Sequence, residues 1–413
     1  MKPVSFSSSS SSATRKVVER VTGRVFCRAD VVGTTGGSQQ GTSSSTARAG
    51  AGATAVGRGG NPLTIFAAPR ASGADGRGVL LASPDARRSL AKTCEWESAM
   101  VLDDGGDDKV AFYLPSGDPV SFCAHAAMGA AAEIARVEGR HHQRGSREEG
   151  SATLDAARPV RFETVDGEKV AASVHDGRDG GDNYVVALDV KDAQFEVEPV
   201  GHPPTLYRIL RDAFGLRPAD LTKGGGNPAT FVNANVFGRP KTLVEVKSLE
   251  TLHSIKPPSS PEAFRTVCDA LNSTGIYIYT KSGEGDDGGS NCSIWECRQF
   301  PRFSGYPEDP ATGVAAAALG IAIHPFCSVA SLKPISEYQF LQGTAMQRPS
   351  LIVLQNINLQ MGNPDDYGGG DSNNDNDENN NLGMKGKASF QLLGRVEVDR
   401  RDTVQADGAN DGQ

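Results

Sequence analysis

Three short stretches of the chain carry side chains able to move protons. CEWESAMVL places Glu97 between a helix-like run and a strand beginning near Ala99. SFCAHAAMGAAAEIA puts Cys123 and His125 at the entrance of an Ala-rich segment, and PEDPATGVAAAALGIA puts Glu308 and Asp309 just before another. Carboxyl and imidazole groups held near one carbon act as general base and acid. Both Ala-rich segments read as helices entered through a short polar turn. The first N–H groups of a helix have no partner within it and carry partial positive charge, so they hold a carboxylate or a developing oxyanion. Two such starts converging on one cleft would fix a small carboxylate-bearing molecule beside Glu97, His125 and Asp309.

What must position these groups is a pair of helices small on every side. Ala and Gly all round let a helix sit deep inside a sheet that curls about it, whereas a bulky stripe marks a surface helix. Strand-like runs dominate elsewhere: KVAFYL, VRFETV, YVVALDV, GIYIYT, SLIVLQNINL and FQLLGRVEV are rich in β-branched and aromatic residues. The balance indicates an α+β protein with mixed sheets and few helices. GGNPLTIF (Gly59 to Phe66) is echoed by GGNPATFV (Gly225 to Val232), each upstream of one Ala-rich helix. We read this as a duplicated unit, against coincidence in a chain with 48 glycines.

Composition narrows the function classes. The chain has 413 residues and a net charge of −8. No basic stripe alternates with aromatics, which argues against nucleic acid as a partner. Seven cysteines at scattered spacings contain no CxxC and no zinc-type Cys/His pair, so no metal site is expected and a reducing compartment fits better than a disulfide framework. The apolar stretch Gly313 to Leu332 is mostly alanine and reads as a buried helix ending at Pro325, not a membrane span. The Ser-rich, basic start fits either an organelle transit peptide or plain disorder, leaving cytoplasm and organelle both open. Polar Gly/Asp/Asn-rich inserts cannot bury enough apolar surface to offset chain entropy. The expected organisation is a leader over 1–58, an N-terminal half over 59–193, a C-terminal half over 194–400 with a disordered insert at 362–387, and a tail from 401.

FCAHAAMGAAAEIA, WESAM and RQFPRFSGYPEDPATGVAAAALG together resemble the PhzF-like (phenazine-biosynthesis) family. GGNPLTIF and QGTAMQRPSLI with FQLLGRVEV fit its opening and closing strands. The resemblance spans about Gly59 to Val398. It implies the diaminopimelate epimerase-like fold: two pseudo-symmetric halves, each a curved mixed sheet round a central Ala-rich helix. It also implies a cofactor-free isomerisation of a small carboxylate-bearing metabolite, and a homodimer. Glu97 then matches the catalytic acid, His125 the histidine of the Gly-His turn, and Asp309 and Gly313 the ends of the Asp-Pro-Ala-Thr-Gly motif. A closed, apolar cleft would raise the pKa of such a catalytic carboxyl. Cys123, Ala124, Thr312, Gly313 and Val314 would line the substrate site.

Two positions depart from that pattern: Ala124 stands where the family has Gly, and Val314 where it often has Ser. Both changes narrow or dry the cleft, which keeps a non-catalytic binding protein in play. A two-thiol racemase is the weakest reading, since Cys123 has no second thiol at the matching turn. Each residue alone has a plainer explanation: Glu97 as a solvated acid, His125 as a helix-end hydrogen-bonder, Asp309 as an N-cap before Pro310.

Overall fold

A computed structural model of the chain describes residues 17–27, 59–67, 81, 83–102, 108–145, 157–177, 182–200, 203–222, 231–284, 292–302, 306–330, 335–362 and 383–405. The first half comprises β1 (Val17–Val25), β2 (Asn61–Ala67), α1 (Pro84–Ala91), β3 (Ser98–Leu102), β4 (Lys109–Tyr113), β5 (Pro119–Val120), α2 (Ala124–Gly145), β6 (Arg158–Thr164), β7 (Lys169–Asp176) and β8 (Asn183–Pro199). The second comprises α3 (Pro203–Phe214), β9 (Phe231–Val236), β10 (Lys241–Glu245), α4 (Leu249–Ser254), α5 (Pro261–Ala270), β11 (Gly275–Glu284), β12 (Cys292–Pro301), α6 (Gly313–Ala330), β13 (Glu337–Gln342), β14 (Ser350–Met361) and β15 (Met384–Gln405).

The strands close into two rings that share β8 and β15. One ring runs β15–β1–β2–β3–β4–β6–β7–β8, the other β8–β9–β10–β11–β12–β13–β14–β15, and the antiparallel β8–β15 pairing seals both. Parallel pairs fall at matching places: β2–β3 and β4–β6 in the first ring, β10–β11 and β12–β13 in the second. Each ring encloses one Ala-rich helix, α2 or α6, introduced after the fourth strand from the shared seam. The duplication is thus a property of topology.

Small residues permit this enclosure. Ala126, Ala127, Ala130 and Ala131 on α2, and Ala315 to Ala318 on α6, are fully buried against their rings. A Cβ added at Gly129 would lie 2.2 Å from Leu63 Cδ2 of β2, and one at Gly320 2.4 Å from Leu354 Cδ2 of β14. In each half a strand leucine occupies the notch that a helix glycine leaves, so interdigitation at interior density fixes the helix in its ring. Outside the rings, α3 and α5 bury Leu206, Leu210, Phe214 and Phe264 on Val244, Ile276 and Ile278. Leu90 and Ala91 of α1 pack with Phe66, Met100 and Ala111.

Several sequence expectations need correction. The leader 1–58 contains a structural strand: β1 pairs with β15 (Val17↔Gln405 to Val25↔Val396) and with β2, burying Val18, Val21 and Val25. Residues 401–405 and 384–387 belong to β15, shortening both the tail and the insert. A split at 193/194 falls inside β8, because the two halves share their long strands. Helix α6 continues through Pro325 to Ala330; the proline removes one hydrogen bond without ending the helix. The glycine-asparagine echo does not mark equivalent positions. GGNP at 59–62 leads into β2, whose topological counterpart is β10, whereas the second copy precedes β9, and its residues 225–230 lie outside the described ones.

Candidate functional site

The two enclosed helices meet N-terminus to N-terminus. A Cβ built on Gly313 would stand 3.0 Å from Ala124 Cβ, 3.0 Å from Phe26 Cζ and 3.1 Å from Leu392 Cδ2. With Ala at position 124, a side chain on the facing residue would need these neighbours to give by a few tenths of an ångström. Ala124 itself sits at the head of α2 with no left-handed backbone, so the methyl group is accommodated without strain. Beside this junction lies a cavity of about 200 Å³. That is the liquid volume of about seven waters, room for a small metabolite.

Eight of the nine residues singled out from the sequence line this cavity, Glu308 being the exception: Glu97, Cys123, Ala124, His125, Asp309, Thr312, Gly313 and Val314. Glu97 precedes β3 and is buried; the Tyr306 hydroxyl donates to its two oxygens at 3.0 and 3.2 Å. Tyr306 is braced by Trp96, ring centroids 5.0 Å apart. His125 Nε2 stands 3.9 Å from Glu97 Oε2. Burial lowers the His125 pKa, only partly countered by the nearby Glu97 charge, so the ring is neutral near pH 7. Cys123 Sγ is 3.3 Å from His125 Nδ1. Burial pushes that thiol up to about 12, with the Glu97 charge adding to it, while the Ala126 N–H directed at the sulfur works the other way. A thiol so protonated is a poor nucleophile.

Asp309 is held by both halves of the molecule. Its Oδ1 accepts from Asn61 Nδ2 at 3.0 Å and from the Ala311 N–H at 3.2 Å, and its Oδ2 from the Thr312 hydroxyl at 2.6 Å. Asn61, the asparagine of the first GGNP, also donates to Ala311 O at 2.7 Å, so β2 of one ring grips the turn entering α6 of the other. Gly60 before it takes φ +94°, a left-handed conformation that glycine adopts without strain. Burial, then the Glu97 charge, raises the Asp309 pKa to about 7, against the lowering effect of Thr312, the Ala311 N–H and Lys241. Because α6 begins at Gly313, Asp309 is not its N-cap, and the plain capping explanation fails. Thr312 lines the cavity with its hydroxyl spent on Asp309 and its N–H on Gln342 Oε1 at 3.2 Å. The early N–H groups of α2 and α6 have no carbonyl within their own helix to bond.

Glu308 takes no part in the cavity. It is buried in a two-point ion pair with Arg298 at 2.8 and 2.7 Å, and Arg298 also donates to Leu252 O and Ile255 O. Sequence reasoning missed Tyr306, Asn61 and Gln342 as supports. It also missed Arg239, Lys241, Thr274 and Gln299 in the lining. The Arg and Lys sit in GRPKT, which reads as an ordinary turn; only the tertiary fold turns them inward. Among the described residues no cluster of three or more His, Cys, Asp or Glu could hold a metal, and no helix is long and apolar enough to cross a membrane.

Comparison with known proteins follows the same lines. The sequence profile of the family described as phenazine biosynthesis-like protein matches residues 196–367. No curated protein matches the chain in sequence. Among solved structures, the Bacillus anthracis phenazine biosynthesis protein of the PhzF family superposes with a TM-score of 0.57 at 15% identity, covering 94% of this chain and 99% of that one. A putative phenazine biosynthesis PhzC/PhzF protein from Clostridium difficile (strain 630) gives a TM-score of 0.50 at 14% identity, with the same coverage. The profile match over residues 196–367 and the structural likeness agree with the motifs around Glu97, His125 and Asp309: this part of the chain is similar to the phenazine biosynthesis-like family, and the chain has the fold of solved PhzF-family proteins.

Proposed function

We propose that the protein is a cofactor-independent isomerase that moves a proton within a small carboxylate-bearing metabolite. The PhzF-like profile supports an isomerase type of activity; the finer mechanism rests on the cavity. The observation that carries it is the meeting of two helix N-termini beside buried Glu97, His125 and Asp309. The substrate carboxylate sits at the paired helix starts, where N–H groups and partial positive charge favour it. Glu97, oriented by Tyr306, takes a proton from one carbon and returns it to another. Neutral His125 stabilises the negative charge that develops between these steps. Asp309, its pKa near 7, supplies or withholds a proton near neutral pH. Exclusion of water from a buried site strengthens each of these interactions.

Val314 at the α6 start favours a second reading, a cleft that binds without chemistry, because it places an apolar side chain in the lining. A two-thiol racemase is disfavoured, since the described lining contains Cys123 as its one cysteine. Incubation with small carboxylates in heavy water separates the readings: the isomerase incorporates deuterium at a carbon, and Glu97→Gln abolishes it. Binding without any incorporation by the unaltered protein supports the non-catalytic reading.

A further inference from the structure

The mechanism above leaves one wall of the cavity without a task. Lys241 at the head of β10 and Gln299 in β12 are both buried and both line it, with Arg239 from the β9–β10 turn beside them. Phe237 and Gly238, at φ +59° and +67°, form the tight turn that brings Arg239 round. Lys241 makes no ion pair or side-chain hydrogen bond among the described residues, although the Asp309 charge acts on it. Gln299 is fully buried, and neither its Oε1 nor its Nε2 has a hydrogen-bond partner among the described residues. Buried polar groups are nearly always satisfied, and an amide with both ends open beside an unpaired ammonium is costly to keep. Arg239 has one described bond, from Nη1 to Phe122 O at 3.3 Å, leaving other donors of its fork. Burial, followed by the neighbouring Arg239 charge, lowers the Lys241 pKa to about 7, so an arriving anion would hold its proton.

We propose that Lys241, Gln299 and Arg239 form a second anchoring subsite that takes a second acidic group, so that the substrates are small molecules with two carboxylates. This rests on the isomerase reading for the first carboxylate and names the substrate class of that same site. The cavity volume of about 200 Å³ restricts such a molecule to a short one. The Lys241 ammonium and Arg239 fork neutralise the second carboxylate, and the Gln299 amide N–H donates to it. The open amide is thereby satisfied on binding.

The test is binding by the full chain of the series malonate, succinate, glutarate and adipate, each against the monocarboxylate of equal length, by calorimetry and thermal shift. At least one diacid is expected to bind tenfold or more tightly than its matched monoacid. Lys241→Gln should bring that ratio to about one, and Gln299→Met should reduce it severalfold, with folding of both checked by circular dichroism. Equal affinity for diacid and monoacid in the unaltered protein overturns the proposal, as does failure of every diacid to bind at millimolar concentration. Ratios unchanged in the folded variants overturn it too. Deuterium incorporation separates the two readings: exchange of monoacids without diacid preference refutes the subsite alone, and diacid preference without exchange refutes the chemistry alone.

Discussion

Asp309→Asn should flatten the pH dependence of stability. The folded pKa of Asp309 is raised from 3.8 to about 7, chiefly by burial. A group with a raised folded pKa contributes stability that is complete below its unfolded pKa. That stability is lost as pH rises through the interval up to the folded value. Linkage between pH 5 and pH 8 with these two values gives a loss of roughly 2–3 kcal/mol in the unaltered protein. With about 2.1 cal/mol/K of unfolding entropy per residue over roughly 300 folded residues, this corresponds to about 4 °C in Tm. Asparagine keeps the shape and the acceptor for Asn61 Nδ2 and the Ala311 N–H, while its amide can donate to the Thr312 hydroxyl oxygen. His125 and Lys241, whose pKa values are lowered by burial, act in the opposite sense; in the variant the loss of the Asp309 charge lowers the Lys241 pKa further, which adds to the variant's gain as pH rises. The assay is scanning calorimetry of both at half-unit steps from pH 5 to 8. The variant's Tm should gain about 4 °C on the unaltered protein across that range. Parallel curves, or a variant that loses ground as pH rises, would refute the assignment of a buried, high-pKa carboxyl.

Three further outcomes are expected. Gly313→Ala drives a methyl group into Ala124 Cβ and Phe26 at 3.0 Å, costing about 1–3 kcal/mol by overpacking and lowering affinity for carboxylates in the same calorimetric titration. Glu308→Ala strands the buried Arg298 guanidinium and should cost about 3–5 kcal/mol in chemical denaturation; Arg298→Met with Glu308→Leu should recover much of it. Deleting residues 1–27 removes β1 from between β2 and β15 and should give insoluble protein, read by the soluble fraction on expression.

The site was more legible than the frame around it. The Ala-rich helices announced themselves because a helix small on every side has no stable home except inside a curled sheet, and their polar entry turns held Cys123, His125 and Asp309 close in sequence. Glu97 lay 26 residues before Cys123, and only the family pattern tied it to the same cavity. Lys241 and Gln299 had no such signature: one opens a short strand and the other sits near the end of a strand of mixed polarity, and sheet closure alone turns both inward. β1 was hidden by the serine tract before it, although its buried valines carry the strand signal. The shared seam of β8 and β15 was illegible for a deeper reason. Pairing between Asn183 and Glu397 is set by ring closure, and no local propensity records it.

In the proposed reaction Glu97 carries a proton to and from carbon in a cavity built on two helix starts. The most direct measurement is carbon-bound deuterium in a small dicarboxylate or monocarboxylate panel incubated in heavy water, with the unaltered protein and Glu97→Gln side by side. Incorporation into at least one compound is expected from the former and none above background from the latter. Equal incorporation by both, with Glu97→Gln folded, would contradict it.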